Sequence, residues 1–337
     1  MLTIRDIDVF VFTCNRCRTL RSTLDSMNRQ TVGIFPIRVF DNASQDDTAS
    51  VIAGFPNAEH IRSPVNLGGA DTNRALSMAT APYVMFMHDD DMLHPRYMEL
   101  ALDALNRFPR VNLVSCPGQD TPVADIISGR AGETWRAIPS APRMIAMDSA
   151  GMSLYLEVIE RMTYCACVMR ADAFRRLDIK KMFAAGGKWC DRTIQLEMVA
   201  SDAGSLAVCL PYPMVHIGRH AGQETSNVGN LPPPEAFLRR EALFCKPLGD
   251  DFFTAEGFFR CMFNRSNLCS GWKRRVKRTM SRREYFRQAV ALGAATRKSL
   301  LLGLWVSHKP MRPLLQWACE RYLERRGERL TRSAAPS

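Results

Sequence analysis

The sequence predicts an α/β protein, a mostly parallel central sheet flanked by helices, with a basic helical extension at its C-terminal end. Two observations predict this. Apolar strand-like runs alternate with helix-period segments through the first hundred residues, the βαβ order that implies a parallel sheet with right-handed crossovers. The charge is also segregated: residues 272–332 hold 17 Lys and Arg against 4 Asp and Glu, while the rest of the chain holds 28 against 30.

The first strand is IDVFVFT (7–13), near-continuously apolar as expected of a strand covered on both faces. A helix follows over 19–30, with Leu20, Leu24 and Met27 at helical spacing. IRVFD (37–41) is the second strand, and SQDDTASVIAGF (44–55) opens with Ser and Asp residues suited to a helix N-terminus. A strand at 58–62, the glycine-containing turn NLGGA (66–70) and a helix over 70–81 lead into YVMFM, the fourth strand. A helix at 95–107 and a strand at 111–116 come next. Residues 117–150, rich in Pro, Gly, Ser and Ala without a sustained period, read as a long irregular excursion. Strand and helix resume at 163–177, a helix covers 193–204, and 205–218 reads as a strand broken by prolines. LPPPEAF (231–237) marks a boundary, so residues 1–230 are expected to form one catalytic domain and 231–337 a helical, basic extension.

Several classes are excluded. The N-terminus MLTIRDIDVFVF carries charge where a secretory signal has its apolar stretch, and the longest apolar run of the tail, LLLGLWV (300–306), is too short to span a bilayer. The expectation is a cytoplasmic protein. Eleven cysteines, several inside strand-like runs (Cys116, Cys165, Cys167, Cys209), suit reduced buried thiols better than a disulfide framework. Cys14 and Cys17 form a lone CxxC without the second pair that a structural zinc site wants. There is no GxGxxG after the first strand and no GxxxxGK[ST], which argues against a dinucleotide enzyme and a P-loop NTPase.

The chemistry-bearing residues collect where strands end, and in open parallel sheets ligands bind beyond those carboxyl ends. Strand 1 delivers Thr13, Asn15 and Arg16; strand 2 delivers Asp41, Asn42 and Ser44; strand 4 runs directly into Asp89, Asp90 and Asp91. Three adjacent carboxylates at the mouth of a buried strand either sit in open water or belong with a cation. His216 reads as a structural histidine.

FTCNR, VFDNASQDDT, NLGGADTN and YVMFMHDDDMLHP, in this order and spacing, together resemble a family 2 glycosyltransferase of the GT-A fold. KWCDRTIQLEMV (188–199) and GRHAGQETS (218–226) resemble two later pieces of that family, an acid before a helix and an RxHxGQxS-like segment. The resemblance implies that Thr13, Asn15, Arg16 and Asp41 hold the nucleoside of a sugar nucleotide, with Asn66, Gly68 and Gly69 on its far side and Asn73 in the same binding set. It implies that Asp89, Asp90 and Asp91 hold Mn²⁺ or Mg²⁺ against the diphosphate with His220 nearby, and that Asp191 is the base for the acceptor hydroxyl. The chain departs from the family pattern twice. His88 stands where many relatives have the first acid, and Arg219 directly precedes His220 instead of standing two residues before it. The implied activity is inverting, metal-dependent transfer from a nucleoside-diphosphate sugar, UDP- or dTDP-linked, to a saccharide or lipid-linked acceptor in bacterial envelope polysaccharide synthesis. The alternatives are a nucleotidyltransferase of similar sheet topology, for which TCNRCR lacks the expected glycine-rich loop, and a non-catalytic basic protein that binds membrane or nucleic acid. A nucleic-acid partner is not expected. In the tail, Phe286, Val290, Ala294, Leu301 and Trp305 recur at near-helical intervals among cations, which predicts either a helix packed on the body or one resting on an anionic membrane surface.

Overall fold

A computed structural model describes residues 1–67, 71–159, 162–179, 182, 190–221, 234–249, 251, 253–275, 280–296, 299–300 and 311–332. The chain divides into two compact units. One comprises Met1–Met144, Met162–Arg176 and Val208–Gln223, the other Ile145–Arg161, Leu177–Ala207 and Glu224–Ser337.

In chain order the elements are β1 (Ile7–Thr13), α1 (Cys17–Asn28), β2 (Ile37–Asp41), α2 (Thr48–Ala53), β3 (Ala58–Arg62), α3 (Asp71–Met78), β4 (Tyr83–His88), β5 (Met92–Leu93), α4 (Tyr97–Arg107) and β6 (Val111–Ser115). There follow β7 (Gly118–Pro122), α5 (Val123–Ile127), β8 (Ile145–Met147), α6 (Ser149–Leu154), β9 (Val168–Arg170), α7 (Ala171–Arg175), α8 (Asp191–Ala200), β10 (Leu206–Cys209) and β11 (Val215–Arg219). The last four are α9 (Pro234–Cys245), α10 (Ala255–Arg275), α11 (Arg282–Ala291) and α12 (Met311–Arg332).

The sheet of the first unit runs β3-β2-β1-β4-β9-β6-β10. Its left half is parallel, as the alternation of strand and helix requires, whereas β9 lies antiparallel to both β4 and β6. One face is a layer of aromatic rings. Phe10 and Phe12, two residues apart on β1, share a face and meet Phe40 of β2 and Phe86 of β4 at centroid separations of 5.7–5.9 Å. The register sets Thr13 opposite Asp41, and Phe12 opposite both Phe40 and His88, so β1, β2 and β4 end at nearly one level.

A second sheet of three strands, β5-β11-β7, sits in the same unit. Two readings of the sequence change here. Residues 117–150 are not wholly irregular: 118–122 is a strand, paired in parallel along β11 from Gly118↔Val215 to Pro122↔Arg219. GQDTP lacks apolar alternation, and three of its five residues are exposed. Its strand state comes from the neighbour, not from local preference. The segment 205–218 is two strands, β10 and β11, in different sheets, with the Pro-containing link 210–214 between them.

Among the described residues the second unit carries β8 and six of the twelve helices, including the longest two. A π-helical turn covers Tyr155–Ile159. Two side-chain amides reach its backbone: Asn267 Nδ2 donates to Glu157 O (2.9 Å) and Gln316 Nε2 to Val158 O (2.8 Å). Tyr285, Ala289 and Ala294 are buried in one cluster with Phe237, Leu238 and Leu268, and Phe286 and Val290 pack against it. The apolar stripe predicted in this part of the tail is therefore committed to the unit's own core; Leu301 and Trp305 lie outside the described residues. No helix among the described residues is long and apolar enough to cross a membrane.

Candidate active site

The loops that leave β1 and β2 are tied together. Asn15 adopts φ 53°, a left-handed conformation that Asn tolerates better than most residues. There its backbone N–H donates to Ser44 Oγ (2.8 Å) and its Oδ1 accepts from Gln45 N–H (2.6 Å). Cys17 N–H donates to Asp46 Oδ2 (3.0 Å), and Asp46 Oδ1 takes both the amide and hydroxyl of Thr48. The loop after β3 is joined through Leu67 N–H, which donates to Asn42 Oδ1 (2.6 Å), and Asn66 Nδ2, 3.5 Å from Cys14 Sγ. Asn66 is exposed, as is Asn73 on α3; Gly68 and Gly69 lie outside the described residues.

Asp41 closes β2 and is fully buried. Oδ1 accepts from Ser44 N–H (2.8 Å), and Oδ2 lies 2.9 Å from His60 Nε2 and 3.7 Å from Arg62 Nη1. Burial alone would raise its pKa, but the Ser44 hydrogen bonds and His60 outweigh it and hold the carboxyl below its ordinary value. Thr13, opposite it in register, is buried at the end of β1.

The acid triplet is buried, not solvated: Asp89, Asp90 and Asp91 expose 3%, 5% and 1% of their surface. Arg16, in the loop between β1 and α1, spans two of them, its Nη1 donating to Asp89 Oδ1 (3.0 Å) and Asp90 Oδ2 (3.1 Å). His220, just past β11, brings Nε2 within 3.0 Å of the same Asp90 Oδ2. Asp91 faces elsewhere, accepting Gly218 N–H on Oδ1 (3.0 Å) with Oδ2 3.5 Å from His88 Nδ1. Burial pushes the Asp89 carboxyl up to about 6, with Arg16 pulling the other way and Asp90 adding to the rise.

The second sheet supports this turn. Thr23 Oγ1 on α1 donates to Asp91 O (2.8 Å), and β5, directly after the acids, pairs antiparallel with β11. At Gly218 of β11 a Cβ would stand 2.2 Å from Asp90 O, so only glycine admits this approach. Sequence reading passed over Gly218, although a glycine inside a strand pattern is itself a sign of close backbone approach. His216 is structural: fully buried, Nδ1 2.7 Å from Thr121 Oγ1, its ring 3.8 Å from that of Trp135.

In the second unit Asp191 opens α8 in a half-buried position, where a carboxylate is favoured by the helix dipole. It also contributes, after burial, to pushing the adjacent Cys190 thiol up to about 12.

The acid pair follows β4 at the level where β1 and β2 also end, and the sheet that carries it has the GT-A fold. Solved structures agree on the shape. Staphylococcus aureus TarS, residues 1–349 in complex with UDP, aligns over 98% of this chain and 92% of its own at 15% identity, TM-score 0.55. The same fragment with UDP-GlcNAc aligns over 97% and 91% at 15% identity, TM-score 0.56. Against the longer TarS structure the alignment covers 95% of this chain but 54% of that one, at 14% identity and TM-score 0.55. No curated protein sequence matches. The model of glycosyl transferase family 2 matches residues 8–177, from β1 to the helical turn after α7, and the chain belongs to that family. It is a sugar transferase. The matched stretch contains Asp41 and the acid triplet; Asp191 and His220 lie beyond it.

Proposed function

We propose that the protein is an inverting, divalent-cation-dependent glycosyltransferase that uses a UDP- or dTDP-sugar and builds an envelope saccharide or glycolipid. One observation carries this reading: Asp89 and Asp90 are buried side by side at the end of β4, with Arg16 and His220 facing them. Two buried carboxylates balanced by one guanidinium make an oxygen-rich, electron-rich donor set, which fits Mg²⁺ or Mn²⁺. Asp89 and Asp90 would hold the ion, His220 would stand beside it, and Asp91 would fix the turn through Gly218. When bound, the ion neutralises charge that builds on a diphosphate leaving group.

The chain's own groups do the rest. Arg16 can turn from the acids toward a phosphate oxygen, since its side chain is 31% exposed. The interlocked Asn15, Asn42 and Ser44 loops form a preset wall for the nucleoside, with Asp41 at its floor. Asp191, at a helix start, would accept the acceptor hydroxyl's proton as the oxygen attacks opposite the departing diphosphate, giving inversion. For the acceptor we assign a cavity of about 340 Å³ lined by Gln119, Asp120, Thr121, Asp125, Arg130 and Thr134, rich in the hydroxyl, amide and carboxylate groups that bind polyols.

Membrane attachment belongs to the same proposal. Met311, Leu314 and Trp317, three residues apart on α12, are 45%, 56% and 57% exposed, and Arg321 lies 6.0 Å from the Trp317 ring. Apolar side chains beside cations suit an anionic interface. Leu314 and Trp317 changed together to Ser should abolish co-sedimentation with anionic vesicles.

The test of the enzyme reading is a screen of sugar nucleotides for thermal stabilisation and turnover with Mn²⁺. Ligand at a hundred times its dissociation constant should add about 2.7 kcal/mol of stability. Equal stabilisation with and without Mn²⁺ would transfer the cation's task to Arg16.

A further inference from the structure

The face of Asp91 that points away from Arg16 meets two other donors. His88 Nδ1 lies 3.5 Å from Asp91 Oδ2, and one donor atom from each of His88, Asp91 and Cys165 falls within 4.8 Å of the others. Met87 Sδ stands 3.5 Å from Cys165 Sγ and lines another side. We propose that His88, Asp91 and Cys165 form a site for a borderline-soft divalent cation of the Zn²⁺ kind, back to back with the Asp89–Asp90 face.

Donor chemistry is the first support. Asp89 and Asp90 offer only hard oxygen, whereas imidazole nitrogen, carboxylate oxygen and thiol sulfur together prefer Zn²⁺ over Mg²⁺ or Mn²⁺. Geometry is the second. A tetrahedral Zn²⁺ with these ligands needs donors roughly 3.3–3.8 Å apart, so the His88–Asp91 separation already fits and the thiol needs a small rotation.

Fixed backbone is the third. Cys165 sits in a turn pinned on several sides: Ala166 at φ 63° donates its N–H to Phe86 O (2.9 Å), Tyr97 OH donates to Ala166 O, and Ser115 Oγ donates to Thr163 O (2.6 Å). A non-glycine residue persists there only because its surroundings over-determine it. Asp91 is pinned by Gly218 N–H and Thr23. Two ligands are thus buried and preset, and the third, His88, has a side chain 53% exposed, which leaves an entry path. Burial first, and the Asp91 carboxylate second, push the Cys165 thiol up. Coordination would displace its proton to solvent and remove both penalties. An ion here would clamp the acidic turn to the turn at 163–167 and so orient Asp90 from behind.

The inference does not depend on which sugar nucleotide the enzyme uses, and its test does not read turnover. The full-length chain, purified without added metal, is titrated with Co²⁺ as a spectroscopic stand-in for Zn²⁺. Expected is a thiolate-to-cobalt charge-transfer band that saturates at one equivalent, is bleached by stoichiometric Zn²⁺ and survives a hundredfold excess of Mg²⁺. Cys165→Ser should abolish the band. His88→Ala, at a half-exposed position that does not threaten folding, should weaken Co²⁺ binding at least about tenfold, the loss seen even for outer-shell partners. Absence of the band in the unaltered chain, its persistence in Cys165→Ser, or its bleaching by Mg²⁺ would each overturn the proposal. In the first case the cluster is a thiol–carboxylate hydrogen bond and nothing more.

Discussion

Gly218→Ala tests whether the acidic turn is held by the strand beside it. The new Cβ would stand 2.2 Å from Asp90 O, 3.2 Å from Asp90 C and 3.4 Å from Asp90 Cβ, where ordinary contact begins at about 3.4 Å. Something must therefore move by more than about 1 Å. β11 cannot easily yield, because β5 and β7 hold it on both edges. The turn moves instead, taking with it the Asp90 carboxylate that meets Arg16 and His220, and loosening the Gly218–Asp91 hydrogen bond. A misplacement of about 1 Å in a catalytic constellation costs on the order of 10²-fold in rate, and overpacking costs about 1–3 kcal/mol of stability. Gly118→Ala is the matched control. It too sits in the small sheet, but its Cβ would meet only side-chain atoms, Ile217 Cδ1 at 2.4 Å and Cγ1 at 2.9 Å with Thr163 Cβ at 3.6 Å, and no backbone atom. The assay is Mn²⁺-dependent sugar-nucleotide binding and turnover for both variants, with chemical denaturation alongside. Expected is comparable destabilisation but a hundredfold loss of kcat/KM in Gly218→Ala alone. Donor affinity and turnover within about threefold of the parent in Gly218→Ala would refute the claim that this contact sets the acid geometry.

Three further outcomes follow from the same contacts. Asp191→Asn should bind donor and Mn²⁺ as the parent does yet lose about 10²–10⁴ in transfer; full transfer would move the base elsewhere. Asp89, lifted to about 6, keeps its proton in the fold over a window in which the unfolded chain, near 3.8, has lost it. Stability without cation therefore falls as pH rises from about 4 to about 6 and then levels off, by on the order of 1–3 kcal/mol. Mn²⁺ competes with that proton, so its stabilising effect should be larger at pH 7.5 than at pH 5, and equal melting shifts at the two would discard the reasoning. Gly327→Ala on α12 would set a Cβ 2.5 Å from Ala146 O on β8, a backbone atom that cannot rotate aside. A lower denaturation midpoint by about 1–3 kcal/mol is expected, and an unchanged midpoint would show that the helix can shift freely.

Much of the first unit was legible because its strands are local statements. IDVFVFT and YVMFMH are near-continuously apolar, as a strand covered on both faces requires, and the β1, β2 and β4 ends they predict coincide in the register. The small sheet was not legible. β5 is two residues long and GQDTP has no strand preference; both owe their state to β11, more than 90 residues further along. The same distance hid the role of Gly218, which depends on Asp90 O. Asp41 illustrates a partial success. Its position at the end of β2 follows from the sequence, but His60 and Arg62 as its partners do not, since β3 reads only as a short strand. Cys165 was read as one more buried thiol, and nothing near it in sequence announces that Asp91 and His88 stand beside it.

The three acids resolve into two different tasks once their partners are named. Buried carboxylates at adjacent positions repel, and the fold answers by turning them apart: Asp89 and Asp90 toward Arg16 and His220, Asp91 toward a backbone N–H and a histidine. On the first face one guanidinium serves two carboxylates, and burial, with Asp90 adding to it against the pull of Arg16, lifts Asp89 to about 6. On the second face Asp91 accepts the Gly218 N–H and is so fixed to β11, which gives the first face a rigid backing. The proposed cation at Asp89 and Asp90 would relieve an existing cost, because the carboxylates are already gathered and desolvated. With the proposed ion in place, two carboxylates and a divalent charge would come to zero, and Arg16, released from the acids, would be the group left over to meet the phosphates.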